Sequence, residues 1–585
     1  MSRLAIIDYK ICQPTKCNNE CGKYCPQNQQ QKECITMVDI EDLGKKAKVS
    51  AVLCIGCGIC TKRCPFEAIT IVNLPKELTP EYTLHSYGEN SFRVYSRPSI
   101  KKGSCIGLLG SNGLGKSTIL KILSGELKID LTYKKLKKLI SGNEMFKYLT
   151  DLNSGSIKVS YKPQDVLMMS KSNKPVKSIL TQINDDLIEK FQLNKLKNRR
   201  LKELSGGEVQ RLMIAKVCSV NADSYLFDEP AAFLDIKQRL KASTAIMKMT
   251  ESNYVVCVEH DLCVLDYICD YVTCLYGESS CYGVITSLYG TFHGINNYLD
   301  GYFKKENVKF RDQPIKFNLT SVCDEIKGNY ELYSYGCCTI KHGDSFELDI
   351  EAGFFGKQQV ILLIGENGTG KTSFINMIAG NIKADSGDEF PDLVVSHKEQ
   401  NPYIDNFDGT VRQLLESKII KSMCDSSFIN TVLKPLGIIS YYDINVSGLS
   451  GGQMQRLSIA LCLGSPADAY LLDEPSAYID VDDRLHVAKI IKHYAKFYDK
   501  IVFLVEHDII MATSIADSVI VFDGEPGISC TAKTPQDLST GINEFLQSIN
   551  VTMRKDKHSM RPRINKINGN KDREQKLSGN HYLIE

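Results

Sequence analysis

No run in the 585 residues reaches the about eighteen consecutive apolar positions that a membrane-crossing helix needs. The longest runs, such as VILLIG at 360–365, have the length of buried strands. The opening MSRLAIIDYK carries neither a long apolar core nor a cleavage site, so no secretory leader and a cytosolic setting are expected. No flavin or nicotinamide fingerprint stands out either. Net charge is also scarce, a formal +2, but it is unevenly spread. Residues 551–585 hold nine Lys/Arg against four Asp/Glu. Such a basic end suits a solvated tail, or contact with RNA or an acidic protein. With 43% apolar and 24% charged residues the composition is that of a globular chain, and its length exceeds a single core.

Cysteine is abundant instead: 22 residues, nine of them within the first 64. The rest are scattered, often in apolar segments such as YVVCVEH and DYVTCLYG, and are expected to be buried free thiols. At the front, Cys54, Cys57, Cys60 and Cys64 end in Cys-Pro, the bacterial ferredoxin spacing for a [4Fe–4S] cluster. In that pattern the fourth cysteine serves the other cluster, so a partner motif must exist. It is Cys12, Cys17, Cys21 and Cys25, again followed by proline. The crossing rule puts Cys12, Cys17, Cys21 and Cys64 on one cluster and Cys54, Cys57, Cys60 and Cys25 on the other. Cys34 falls outside both motifs and reads as a packed thiol. Zinc is the competing metal for paired C-x2-C sequences, disfavoured by two four-cysteine runs with Cys-Pro ends. A module of about 75 residues rarely holds together on its core alone, so the metal also serves as a staple.

The remainder contains an ordered repeat. GSNGLGKST, running from Gly110 to Thr118, recurs as GENGTGKTS from Gly365 to Ser373. LSGGE at 204–208 recurs as LSGGQ at 449–453, and LFDEP at 226–230 as LLDEP at 471–475. Gly110, Gly113 and Gly115, with Asn112, let backbone N–H groups curl around phosphates at a helix N-terminus. Lys116 meets the β/γ oxygens, and Ser117 followed by Thr118 opens the helix and supplies a Mg²⁺ ligand. Gly365, Asn367, Gly368, Gly370, Lys371, Thr372 and Ser373 repeat the set. SYLFDEP reads as a buried parallel strand that delivers Asp228 to Mg²⁺ and Glu229 to the attacking water. Asp473 and Glu474 are the second copies. VVCVEHD and LVEHD bring His260 and His507 toward the γ-phosphate.

This set resembles the ATP-binding-cassette family, over about residues 80–545. The resemblance implies a multidomain α/β fold, with two P-loop nucleotide-binding domains head to tail behind an α+β ferredoxin-like domain. It implies that site one joins Lys116, Ser117, Gln164, Asp228, Glu229 and His260 to Ser450, Gly451, Gly452 and Asp480. Site two joins Lys371, Thr372, Gln400, Asp473, Glu474 and His507 to Ser205, Gly206, Gly207 and Asp235. Gln164 and Gln400 complete the two Mg²⁺ sets. Gln400 follows SHKE where the first half has YKP. Tyr87 and Phe92 lie where the family places an aromatic that stacks on adenine, with core packing as the alternative.

The first half has a longer span from lysine to glutamine, and the extra length includes Lys134, Lys135, Lys137 and Lys138 beside Tyr133, Leu136 and Leu139. They suit a phosphate backbone or a solvated helix face. A ferredoxin module, two cassettes and this one insert, with CIGCGIC, LDIKQRLKA, FRD, LLDEPSAYID and RPRINK, resemble the ABC-E family of ribosome-recycling ATPases, the RNase L inhibitor family. AAFLD at 231–235 departs from its serine-serine-tyrosine form.

The resemblance implies an iron–sulfur domain at 1–75 and a first nucleotide-binding domain at 76–305, with a ribosome-contacting helix–loop–helix at 127–152. A hinge at 306–330, a second nucleotide-binding domain at 331–545 and a basic hinge segment at 546–585 follow. It implies ATP, Mg²⁺ and two [4Fe–4S] clusters as cofactors. It also implies an ATPase acting as a monomer in the cytoplasm, with the nucleus as a second location. The partners it implies are the ribosome's small subunit and rRNA, release factor one or its rescue relative, and initiation factors, with no membrane. Two rival functions are ATP-gated electron transfer and a soluble scaffold.

Overall fold

An unbroken apolar pentad is what a parallel strand covered on both faces requires. Four such pentads form the strands Ser224–Asp228, Tyr254–Val258, Ala469–Asp473 and Ile501–Val505 in the computed structural model, every residue buried. The structure describes residues 2–7, 11–40, 44–50, 53–74, 83–88, 91–129, 144–164, 172–311, 314, 315, 317, 332–342, 346–387, 390–400, 402, 404 and 407–583.

In the first cassette the P-loop strand Ser104–Leu109 lies parallel between Tyr254–Val258 and Tyr271–Glu278. Ser224–Asp228 and Val159–Lys162 continue the sheet in the same sense. The second cassette repeats this: Val360–Gly365 lies between Ile501–Val505 and Ser518–Glu525, with Ala469–Asp473 and Val395–Lys398 beyond. An edge built from Thr83–Ser86, Arg93–Tyr95 and Tyr282–Ile285 extends the first sheet. Register fixes the site. Asp228 pairs with Val258, and Asp473 with Val505, so each acidic strand end lies level with the end of the strand that leads to His260 or His507. All four ends point to the carboxyl edge, where such sheets bind ligands.

The front module is two antiparallel strand pairs, Ser2–Ile7 with Ile69–Leu74 and Ile35–Ile40 with Gly44–Val49. Three short helices, Glu20–Lys23, Pro26–Gln29 and Ile59–Arg63, carry or flank the cysteines. Its core is small and partly made of cysteine itself, including Cys21, Cys25, Cys34 and Cys60. So few apolar side chains cannot offset the chain entropy of the module, which fits a metal-stapled unit.

Three expectations need correction. The basic end is not a free tail: Met553–Lys555 pairs with Pro562–Ile564 and with Tyr582–Leu583, and helix Asn570–Ser578 completes the unit. Its arginines turn inward. Arg563 bonds both oxygens of Asp266 at 2.6 and 3.1 Å, and Arg561 is fully buried 3.5 Å from the same carboxylate. A boundary after residue 545 also cuts helix Leu538–Ser548, whose Asn543 receives the N–H groups of His581 and Tyr582. Finally, Cys337 and Cys424 are exposed rather than buried.

The lysine cluster Lys134–Lys138 lies outside the described residues, as does most of the 306–330 hinge. Helix Glu144–Asn153, at the end of the insert, is amphipathic and buries Met145, Tyr148 and Leu149. The Tyr148 hydroxyl bonds Leu123 O at 2.7 Å, so this stretch packs into the first cassette. No helix among the described residues is long and apolar enough to cross a membrane.

Candidate functional site

Each P-loop closes on a glycine in the left-handed region, Gly115 at φ 93° and Gly370 at φ 95°. A side chain there is strained, and it also collides with a ring. A Cβ on Gly115 would stand 2.9 Å from Phe92, and one on Gly370 would stand 3.0 Å from Phe346. Phe92 is therefore seated under the first P-loop, with Tyr87 beside it and bonded to Thr118 at 3.2 Å. Phe346 is its counterpart in the second cassette, missed from sequence although it precedes Gly370 by nearly the spacing of Phe92 before Gly115. Lys116 Nζ binds the loop carbonyls of Gly110 and Ser111 at 2.7 and 2.9 Å, and Lys371 binds Gly365 and Glu366 at 2.9 and 2.8 Å.

The catalytic carboxylates stand on strained backbone. Glu229 has φ 48° and Glu474 φ 46°, a conformation that costs a non-glycine residue roughly 1–3 kcal/mol. Three matched anchors hold them. Their N–H groups bond Val258 O and Val505 O, both at 2.9 Å. Gln210 and Gln455 donate to the carbonyls of Glu229 and Glu474 at 2.7 and 2.8 Å. Buried Lys162 and Lys398 donate to Asp228 O at 2.7 Å and Asp473 O at 2.8 Å, and burial lowers both ammoniums to about 8. Sequence reasoning missed all four anchoring side chains. Their signal was repetition: each recurs at the matching place of the second cassette.

Gln164 reaches Glu229 at 2.8 Å and Gln400 reaches Glu474 at 2.9 Å, so the altered SHKEQ loop delivers its glutamine as YKPQ does. His260 Nε2 lies 3.5 Å from Glu229, and His507 Nε2 lies 3.7 Å from Glu474. Burial pushes the Glu229 carboxyl up, but His260, Lys116 and Lys162 outweigh it and hold it down at about 2. Burial, Asp473 and Glu506 instead lift Glu474 to about 7.

Both Asp228 oxygens are buried without a hydrogen-bond partner, and the Ser117 hydroxyl is their neighbour. An orphaned buried carboxylate beside a hydroxyl fits a divalent cation with oxygen ligands. Burial, and for Asp228 also Glu229, raises Asp228 and Asp473 to about 6, a shift that such a cation would reverse.

The opposing wall of each cleft comes from the other cassette. A cleft of about 1270 Å³ is lined by Lys371, Thr372, Gln400, Asp473, Glu474 and His507 from one side and by Ser205, Gly206, Gly207 and Asp235 from the other. LSGG[EQ] turns out to be a capping box. Ser205 Oγ accepts from Glu208 N at 3.3 Å while Glu208 accepts from Ser205 N at 2.8 Å. Ser450 and Gln453 do the same at 3.3 and 2.9 Å, which explains the fifth residue of the motif. Asp235 and Asp480 each cap their own helix and accept the N–H of the opposite P-loop asparagine. Asn367 N to Asp235 is 3.0 Å, and Asn112 N to Asp480 is 2.9 Å.

Four residues beyond each of these aspartates stands an arginine. Arg239 bonds Asp261 at 2.5 Å, and Arg484 bonds Asp508 at 2.8 Å. Those aspartates follow His260 and His507 directly, so one helix turn ties a contact at one site to the histidine of the other. Phe233, in the altered AAFLD, meets Tyr478 edge to face across the seam, 5.8 Å between centroids.

The two seams differ. At site one Asp482 accepts from Ser111 Oγ at 3.1 Å, Tyr298 OH at 3.1 Å and Arg311 at 2.7 Å. At site two the corresponding link is one pair, Lys237 with Glu366, at 2.8 Å.

In the front module, one small cavity is walled by Cys12, Cys17, Cys21 and Cys64. A second is walled by Cys25, Cys54, Cys57 and Cys60, together with Cys34. Two sets of four thiols around separate hollows, each crossing between the sequence motifs, fit two iron–sulfur clusters.

Fold and site together define a twin ATP-binding cassette, closed head to tail and preceded by a ferredoxin-like cysteine module. Comparison with known proteins agrees. The family model described as ABC transporter matches residues 97–232 and 354–477. The model for a possible Fer4-like domain in RNase L inhibitor matches 2–33, and a 4Fe-4S binding domain matches 47–70. Protein Pixie of Drosophila melanogaster is 42% identical over 100% of this chain and 97% of its own. Translation initiation factor RLI1 of Saccharomyces cerevisiae is 42% identical over 100% of this chain and 98% of its own. Among solved structures, a model of ribosome-bound archaeal Pelota and ABCE1 matches at TM-score 0.92 and 41% identity, covering 99% of both chains. An archaeal ribosome recycling factor, aABCE1, in complex with the ribosomal stalk protein aP1 matches at TM-score 0.78 and 40% identity, over 86% of this chain and 99% of that one. The chain belongs to the RNase L inhibitor family, the E branch of the ATP-binding-cassette proteins.

Proposed function

We propose that this chain is an ATP-driven ribosome recycling factor that separates the subunits after termination or rescue and carries over into initiation. What carries the reading is the reciprocal seam, in which each P-loop asparagine is held by an aspartate of the other cassette. Nucleotide in either cleft is thereby gripped by both cassettes, so binding favours the closed form. Moving such an equilibrium from 1:99 to 99:1 takes roughly 5.5 kcal/mol of differential affinity. The family relatives described as ribosome-bound and as initiation factors supply the target.

In each cleft the P-loop amides and Lys116 or Lys371 bind the phosphates. Mg²⁺ held by Ser117, Asp228 and Gln164, or by Thr372, Asp473 and Gln400, would supply charge neutralisation at the β- and γ-phosphates. Glu229 and Glu474 accept the proton of the attacking water, His260 and His507 face the γ-phosphate, and Ser450 or Ser205 closes the far side. Tyr87 and Phe92 at site one, and Phe346 at site two, offer rings to the base. Hydrolysis then resets the seam. Two [4Fe–4S] clusters, held as the cavities imply, make the front module a stiff lever that pushes on a release factor or its rescue relative in the cytoplasm.

Sedimentation of ribosomes tests this. Wild type with ATP should convert whole ribosomes to subunits over repeated rounds. Glu229→Gln with Glu474→Gln should keep nucleotide binding and lose turnover. Unchanged repeated splitting by that double variant would refute the reading and favour a scaffold.

A further inference from the structure

The two thiol cavities are not equivalent. Among the described residues the first has four cysteines on its wall, whereas the second has five. The extra one is Cys34, only 1% exposed, which belongs to neither ferredoxin run. Its sulfur lies within hydrogen-bonding reach of the sulfurs of Cys25 and Cys54.

Its backbone is fixed with unusual care. Asn28 Oδ1 accepts from Cys34 N at 3.0 Å and from Ile35 N at 2.8 Å, while Asn28 Nδ2 donates to Ile35 O at 2.7 Å. Ser50 N closes the other side, donating to Cys34 O at 2.7 Å. Asn28 lies on the short helix Pro26–Gln29, whose N-cap is Cys25. One side chain therefore locks Cys34 to the element that carries Cys25. Cys25 in turn is the member of its set that comes from the distant motif, while Cys54, Cys57 and Cys60 share one loop. An inert packed thiol needs an apolar niche; it does not need a place on the wall of a four-thiol hollow.

We propose that Cys34 is a reserve ligand of the second cluster, able to take the coordination position of Cys25. The proposal rests on the reading that this cavity holds a [4Fe–4S] cluster. The exchange balances without electrons. The iron–sulfur bond to Cys25 breaks and one to Cys34 forms, and the Cys34 thiol proton passes to the departing Cys25 thiolate. A thiolate is the ligating form in both states. The first cavity has no such spare, so its cluster depends on all four of its cysteines.

Iron and acid-labile sulfide per chain, on full-length protein purified without air, test this. Wild type, Cys25→Ala, Cys34→Ala, the Cys25→Ala/Cys34→Ala pair and Cys17→Ala are compared. The first three should carry the same iron, while the pair and Cys17→Ala should each carry half. Half the iron in Cys25→Ala alone would overturn the proposal, as would full iron in the pair. Wild type without iron would instead overturn the cluster reading itself. Nucleotide binding by the cassettes reports that each variant has folded. Should Cys25→Ala not accumulate, Cys25→Ser with and without Cys34→Ala asks the same question: full iron is expected without the second change and half with it, and equal iron in the two refutes the exchange.

Discussion

Replacing Asp482 by alanine removes the centre of the site-one seam. Its carboxylate takes three donors: Arg311 at 2.7 Å, and Ser111 and Tyr298 at 3.1 Å each. The Asp482 side chain is 27% exposed and that of Arg311 19%, so the pair is neither fully dry nor a surface bridge. A hydrogen bond to a charged group is worth about 1.5–3 kcal/mol, and an exposed ion pair about 0–1. Arg311 keeps the carbonyls of Tyr298 and Leu299 after the change, which places the loss near 2 kcal/mol. That is about a thirtyfold shift toward the open form at site one. Lys237→Ala removes the single link at site two, whose lysine is 41% exposed, and should shift closure there about fivefold or less. Energy transfer between dyes across each cleft, titrated with a non-hydrolysable nucleotide, reads both. Raised salt should weaken the Lys237 contact and spare the Asp482 one. Equal effects of the two substitutions, or no effect of Asp482→Ala, would refute the reasoning.

The single glutamate variants should differ in pH dependence. Glu229→Gln leaves turnover to Glu474, raised to about 7, so its rate should fall toward about tenfold per unit as pH drops below that value. Glu474→Gln leaves Glu229, held at about 2 and ionised throughout, and should be flat between about pH 6 and 8. Arg239→Ala strands the buried Asp261 and should cost about 3–5 kcal/mol by calorimetry, with Arg239→Met/Asp261→Asn recovering most of it. Asp266→Asn removes the one carboxylate that faces both Arg561 and Arg563, so limited proteolysis should cut the 549–585 segment sooner than in wild type.

Much of the site was legible in the sequence because phosphate and iron impose local spacing. The P-loop lysines, the DEP carboxylates, the signature serines and the crossed cysteine sets each come from one short motif. What was not legible depends on register or on a distant segment. Phe346 acquires its place only because its strand lies under Gly370. Asp482 looked like an ordinary acidic helix start until Arg311, from the hinge, and Tyr298, from the first cassette, were brought to it. The basic end read as a tail because its partners, Asp266 and Asn543, lie far away in sequence. Arg239 and Arg484 were visible as a repeat, each four residues beyond the capping aspartate, but their partners are set by the tertiary seam.

The central claim is that closure of the clefts does mechanical work through a rigid, metal-stapled head that need not change redox state. Splitting of ribosomes by iron-loaded and by iron-stripped protein, both with ATP and without any electron donor, tests it most directly. The account predicts rapid splitting by the loaded protein. It predicts loss of splitting on stripping, with nucleotide binding by the cassettes retained. Full-speed splitting by the stripped protein, or a requirement of the loaded protein for a reductant, would contradict it.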